Sequence, residues 1–250
     1  MDARSLTSDN RGPVRKAHGE RGIMLDTFET LETPSNCEAP DIVPRGLALP
    51  TRTLEPGQVL FEADRDASSL YVVNFGVLKA VVPTSLGRDR IADLYGAGDV
   101  LGLSALDGGR HAETVIAVHD ACLTPIDPGQ AMNDRGLRDY VLRSLARQLR
   151  RSREMLDEAE MPVGARVTRA FLRLAQQFGQ QSDAVGAGVK LPLALTHEDL
   201  ADLTGSSRVT ITRILGELRQ EGALEGTRGV YVADMEGLER ATDHYVMQVL

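Results

Sequence analysis

The chain has 250 residues, 42% of them hydrophobic and 26% charged, enough to bury a sizeable core and to hold two domains. Its net charge of −8 excludes a protein that coats nucleic acid indiscriminately, because nonspecific phosphate attraction scales with basic charge, although a local basic patch can still bind. No apolar run approaches the roughly 18 residues of a membrane span and the N-terminus has no apolar signal core, so a cytoplasmic protein without membrane contact is expected.

Residues 1–40 are rich in Ser, Thr, Gly, Pro, Arg and Glu without apolar periodicity, which predicts a mobile tail. From 41 to 133 short strand-like runs follow one another: GQVLFEAD, SLYVVNFGVLKAVVP, DRIADLYGAGDVLG and ETVIAVHDACLTPID. Their near-regular spacing predicts an antiparallel jelly-roll, a double-stranded β-helix. Cys37 and Cys122 lie far apart in sequence and form no metal-spaced cluster. Neither a disulfide nor a metal site is expected, and Cys122 reads as core packing in a strand. Between 134 and 161, Leu142, Leu145, Leu149, Ser152 and Leu156 recur at alternating three- and four-residue steps. That is the seam of a two-stranded coiled coil, though the same helix could also lie on its own roll. Met161-Pro162-Val163-Gly164 breaks the pattern as a hinge. An amphipathic helix carrying Val167, Ala170, Phe171, Leu174 and Phe178 then opens a domain spanning 162–233.

Leu195 to Val232 reads as a helix-turn-helix with a wing. Thr196 is placed to cap a first helix with Asp199 three residues on, and Gly205 supplies the turn. Ser206 is placed to cap a second helix, on which Ile211, Ile214, Leu215 and Leu218 form an inward stripe. Ser207, Arg208, Thr210 and Arg213 face away from that stripe and suit a major groove, where an Arg fork matches the two acceptors of guanine. Gly226-Thr227-Arg228-Gly229 predicts a hairpin tip whose Arg228 reaches the DNA backbone. The plainer reading, a helical hairpin that only packs in a core, does not account for the paired arginines. Residues 234–250 predict a further helix without an assigned role.

The order of roll, long helix, hinge and winged helix-turn-helix, over about Leu47 to Val232, resembles the cyclic-AMP receptor protein/fumarate-nitrate regulator (CRP/FNR) family of bacterial transcription factors. The motifs are LEPGQVLFEAD, SLYVVNFGVLK with Gly76, YGAGDVLGLSAL and LADLTGSSRVTITRIL. The resemblance implies an α+β protein with an N-terminal sensor roll, a dimerisation helix seamed by Leu142, Leu145, Leu149 and Leu156, and a C-terminal DNA-binding domain. It implies a homodimer on a roughly palindromic site, and an activator that contacts RNA polymerase. Arg208 and Arg213 match the family's base-reading arginines. Val209 stands where the family commonly has Glu, so less selectivity, or a preference for thymine through its methyl group, is expected at that base pair.

The same resemblance places an effector pocket around Gly102, Leu103, Ser104, His111, Ala112, Glu113 and Thr114. Nucleotide-binding members carry Glu where this chain has Leu103, and Arg-Ser where it has His111-Ala112. Without the carboxylate and the guanidinium, cyclic AMP is not expected as a ligand and no cofactor is expected. Ser152 falls near the family's base-contacting position with Arg151 beside it, and both read as solvent-facing or dimer-packing residues. Two cysteines cannot hold an iron–sulfur cluster. His111 or His119 would be the ligands of a haem sensor, but a lone His is more often a surface or core residue. The alternative function is a ligand-sensing roll acting as an effector-dependent switch. An enzyme is not expected, since there is no GxSxG, Walker loop or HExxH in a fitting context.

Overall fold

The computed structural model describes residues 37–249 apart from 39, 45, 48, 85, 86, 88, 182–187 and 228. The expected tail thus lies almost wholly outside the described residues, as does the expected wing contact Arg228.

Two four-stranded sheets form the roll. One has the order β1 (Arg52–Leu54), β8 (Ala121–Ile126), β3 (Leu70–Phe75), β6 (Val100–Leu101). The other has the order β2 (Val59–Phe61), β7 (Thr114–Ala117), β4 (Leu78–Pro83), β5 (Asp89–Tyr95). Period-two alternation sends Leu78 and Ala80 of β4, Val115 and Ala117 of β7, and Val73 and Leu123 of the facing sheet into one core. The outer face of the first sheet is covered in turn. Leu70, Val72, Val100 and Ile126 pack against Ala131 of α1 (Pro128–Asn133) and Leu137 and Val141 of α2 (Arg135–Glu158). Gly76 adopts φ +94 between β3 and β4, and a Cβ there would strike the Asp120 carbonyl, so the turn requires glycine on two counts.

Asp134 caps α2 by accepting from Leu137 N. The helix runs on to Glu158, the chain breaks before Pro162, and α3 (Val163–Phe178) starts the second domain. On α2 the four seam leucines stand out: Leu142, Leu145, Leu149 and Leu156 are 50, 42, 51 and 68% exposed in the single chain.

The second domain adds β9 (Gln180–Gln181), β10 (Val189–Pro192), α4 (His197–Thr204), α5 (Arg208–Gln220), β11 (Leu224–Thr227), β12 (Val230–Ala233) and α6 (Met235–Met247). Its sheet has the order β11-β12-β10-β9, and β11 and β12 pair antiparallel up to Thr227 and Val230. Leu200, Ile211, Ile214, Leu218, Phe171 and Leu238 share one core with Val77, Ile91 and Leu94 of the roll, so the second domain is seated on the first. The C-terminal helix belongs to this core through Leu238 and Ala241.

The cysteines depart from expectation. Cys122 is fully buried in β8 as expected, but Cys37 joins it in a disulfide across 85 residues, with Cα atoms 5.9 Å apart. Sequence separation does not limit spatial distance once the chain has crossed the face of a sheet. Among the described residues no helix is long and apolar enough to cross a membrane, and no group of three or more His, Cys, Asp or Glu could hold a metal.

Candidate DNA interface and effector pocket

The helix-turn-helix is built by local hydrogen bonds. Thr196 Oγ1 accepts from Asp199 N at 3.0 Å, and Asp199 Oδ2 accepts from Thr196 N at 2.9 Å, closing the expected capping box on α4. Asp199 also accepts from Lys79 Nζ of β4 at 2.6 Å. Burial pushes its carboxyl up, but the Lys79 and Thr196 bonds outweigh that and hold it below the usual range. Gly205 ends α4 at φ 61, and Ser206 N returns to Ala201 O at 2.9 Å. Ser206 therefore closes the first helix instead of capping the second. Ser207 is the cap of α5: its Oγ accepts from Thr210 N at 3.1 Å. The turn needs one residue more than the expected register allowed. Arg166 of α3 braces it, donating to Ala159 O at 3.2 Å before the hinge and to Gly205 O at 3.4 Å.

Ile211, Ile214, Leu215 and Leu218 are completely buried, as the helical period requires. The opposite face carries Ser207, Arg208, Val209 and Arg213 into solvent, with Thr210 half-buried. Val209 is 79% exposed. Arg219 Nε donates to Gly226 O at 3.0 Å and fixes the wing hairpin beside α5.

In the roll, Gly102, Leu103, Ser104, His111, Ala112 and Glu113 come together around a cavity of about 160 Å³. Phe61, Tyr95, Leu101 and Gln148 complete the lining. Thr114 and Ser152 do not join it: Thr114 Oγ1 accepts from Ala63 N at 3.0 Å, and Ser152 is exposed. His111 stacks on Phe61 with ring centroids 3.8 Å apart, and burial lowers its pKa. Burial raises the Glu113 carboxyl, against the bond it accepts from Tyr95 OH at 3.0 Å.

Arg151 corrects the reading of this part of α2. It is 17% exposed, not solvent-facing: its Nε donates to Asp93 Oδ2 at 3.0 Å, and its Nη1 lies 3.4 Å from Asp99 Oδ1. Burial alone would lower the guanidinium, but the two carboxylates more than offset it. Four further side chains stitch the same face of α2 to the β5–β6 turn. Tyr140 and Arg147 donate to Gly98 O at 2.7 and 3.1 Å, Gln148 donates to Val100 O at 2.7 Å, and Ser144 Oγ accepts from Val100 N at 3.0 Å. From α3, Gln177 Nε2 donates to Leu94 O at 3.0 Å and reaches Asp99 Oδ2 at 3.4 Å. Asp99 thus touches the roll, the long helix and the second domain. Asp93 escapes a period-two reading of β5: a bulge between Ile91 and Asp93 leaves Ile91 in the core shared with the second domain and sets Asp93, opposite Ala80, on the face of Tyr95 inside the roll, where an acid calls for a buried partner.

Comparison with known proteins gives the same architecture. Residues 51–133 match the family model described as a cyclic nucleotide-binding domain, and residues 165–241 match that of a Crp-like helix-turn-helix domain. The chain is 30% identical to the CRP-like cAMP-activated global transcriptional regulator of Mycobacterium tuberculosis, over 80% of this chain and 93% of that protein. It is 32% identical to the transcriptional regulator LdrP of Thermus thermophilus, over 73% of this chain and 92% of that one. A crystal structure of a CRP-family transcriptional regulator from Thermus thermophilus superposes with a TM-score of 0.66 at 27% identity, covering 78% of this chain and 98% of that one. The chain therefore belongs to the CRP/FNR family of transcriptional regulators, with a cyclic nucleotide-binding domain followed by a DNA-binding helix-turn-helix.

Proposed function

We propose that the protein binds a roughly palindromic promoter site as a homodimer and does so without cyclic AMP. The observation that carries this reading is the outer face of α5: Ser207, Arg208, Val209 and Arg213 are exposed on a helix whose other face is locked in a core. Pairing of two chains through Leu142, Leu145, Leu149 and Leu156 would cover the exposed seam and present two such helices. Activation through contact with RNA polymerase is carried by the family resemblance alone.

The relative from Mycobacterium tuberculosis is named for activation by cyclic AMP. A cyclic phosphate in this chain's cavity would meet no Lys or Arg among the lining residues, only a shielded imidazole and the acid Glu113. Each missing charge-assisted bond is worth about 1.5–3 kcal/mol. The tie between long helix and roll is supplied instead by the chain's own Arg151, Asp93 and Asp99.

The test is selection of duplexes from a random pool by the full-length protein, with and without cyclic AMP. The expected result is one palindromic consensus, unchanged by the nucleotide. Calorimetric binding of cyclic AMP at micromolar concentration, together with tighter DNA binding, would overturn the ligand-free reading. One observation favours an effector-dependent switch driven by another small molecule. A cavity of about 590 Å³, within the usual range of ligand pockets, lies where Phe75 and Val77 of the roll face Arg147 of α2 and Phe178 and Leu193 of the second domain. On that reading the purified protein would select no duplex unaided.

A further inference from the structure

Arg213 does not stand alone on the recognition helix. Its Nη1 is paired with Glu217 Oε1, one turn on along α5. The other oxygen of the same carboxylate, Oε2, accepts from Tyr245 OH at 2.7 Å, and Tyr245 is on the C-terminal helix α6. Glu217 is thus held from both sides, each oxygen committed to one donor. Tyr245 is fixed in its turn. Its ring lies over Gly164 at the start of α3, where a Cβ would collide with it, and one turn back Thr242 Oγ1 donates to Thr168 Oγ1 of α3 at 2.7 Å. The element without a role in the sequence therefore reaches from the hinge helix to a candidate base-reading side chain.

An unsupported arginine on an exposed helix samples many rotamers, and binding guanine bidentately costs the entropy of choosing one. A carboxylate that holds one edge of the guanidinium removes most of that freedom. The remaining N–H groups are left as a fork for the O6 and N7 acceptors of guanine. A free glutamate would do this poorly, being mobile itself. A glutamate pinned by a half-buried tyrosine that is itself packed on α3 does it well.

We propose that Glu217 and Tyr245 are positioning residues for Arg213, so that the C-terminal helix is part of the unit that determines base selectivity. This rests on the reading of Arg213 as a base reader. The phenol suits this role because burial, and then the Glu217 carboxylate, raise its pKa, so it remains a donor at any physiological pH.

The test uses the full-length protein and the duplex that the wild type selects, together with duplexes changed at single base pairs of each half-site. Tyr245→Phe keeps the ring over Gly164 and removes only the hydroxyl. It should reduce discrimination at the base pair read by Arg213 by about three- to tenfold, the worth of one hydrogen bond, and leave discrimination elsewhere unchanged. Glu217→Gln should act at the same base pair, and the double variant should lose little more than Glu217→Gln alone. Melting temperature should not move enough to explain the change. If Tyr245→Phe retains wild-type discrimination, or weakens all duplexes equally, the positioning role is overturned. Arg213→Ala separates the two levels. If it leaves discrimination intact, the base-reading assignment falls and the positioning role with it; if it abolishes discrimination while Tyr245→Phe does not, only the positioning role falls.

Discussion

Arg213 and Ser207 show two kinds of residue-scale effect. Replacing Arg213 by Ala should cost about 1–3 kcal/mol per half-site against the matched base pair and much less against a mismatch, because a bidentate contact carries sequence information. Titration of matched and mismatched duplexes checks it, and equal losses on both would refute base reading. Ser207→Ala acts on folding instead. It removes the cap that satisfies Thr210 N and should lower stability by about 1 kcal/mol, seen as a shift in denaturant midpoint; Ser206→Ala, whose hydroxyl contacts Thr204 Oγ1, should cost less. The arginines were legible in sequence because helical period alone separates them from Ile211 and Ile214. The cap was not, because adjacent serines are equivalent until the left-handed Gly205 and the Ser206 N to Ala201 O bond decide which one begins the helix.

At the scale of elements, α2 serves two surfaces at once. One face is bonded to the roll through Tyr140, Ser144, Arg147, Gln148 and Arg151, and another presents the four leucines. Placing a charge at Leu149 should bury it in the dimer seam at a cost of several kcal/mol and yield monomers in sedimentation; a wild-type protein already monomeric at micromolar concentration would contradict the seam. On the bonded face, Arg151→Ala leaves Asp93 and Asp99, 17% and 7% exposed, without their cation. A loss of about 3 kcal/mol or more is expected in chemical unfolding, since removing one partner strands buried charge. The spacing of the exposed leucines could be read from the sequence. The polar face could not, because Tyr140, Ser144, Arg147 and Gln148 bond backbone groups of a distant turn, which carry no sequence signature, and Arg151 meets carboxylates more than fifty residues away.

The whole molecule is held by contacts between its domains: Lys79 to Asp199, Gln177 to Leu94 O, and Ala194 N to His119 Nε2 at 3.1 Å. The last makes a pH prediction. His119 must be neutral to accept, and burial lowers its pKa below 6.5 even against the pull of Asp120. A histidine with a lowered folded-state value contributes stability that is fully present above 6.5 and lost as the pH falls through that value. His111 and His197, lowered chiefly by burial too, act in the same direction, as does the lowered carboxyl of Asp199, whereas the carboxyls of Asp93, Glu113 and Asp202, raised chiefly by burial, act in the opposite one. Melting temperature should therefore fall on acidification below pH 6.5, and His119→Gln should flatten the slope; a melting temperature that stays constant across that range would refute the assignment. Sequence by itself determined the class and order of elements, the inward and outward faces of α5, and the three- and four-residue spacing of the leucines on α2, all of which follow from local periodicity and residue chemistry; the departures at Leu103 and His111 were legible only through the family resemblance. Only the tertiary structure decided that Cys37 meets Cys122, that Arg151 turns inward between two aspartates, and that Tyr245 stands behind Arg213 through Glu217. Each of those joins residues far apart in the chain, and the partner of a buried polar group is settled by which surfaces the packed core brings together.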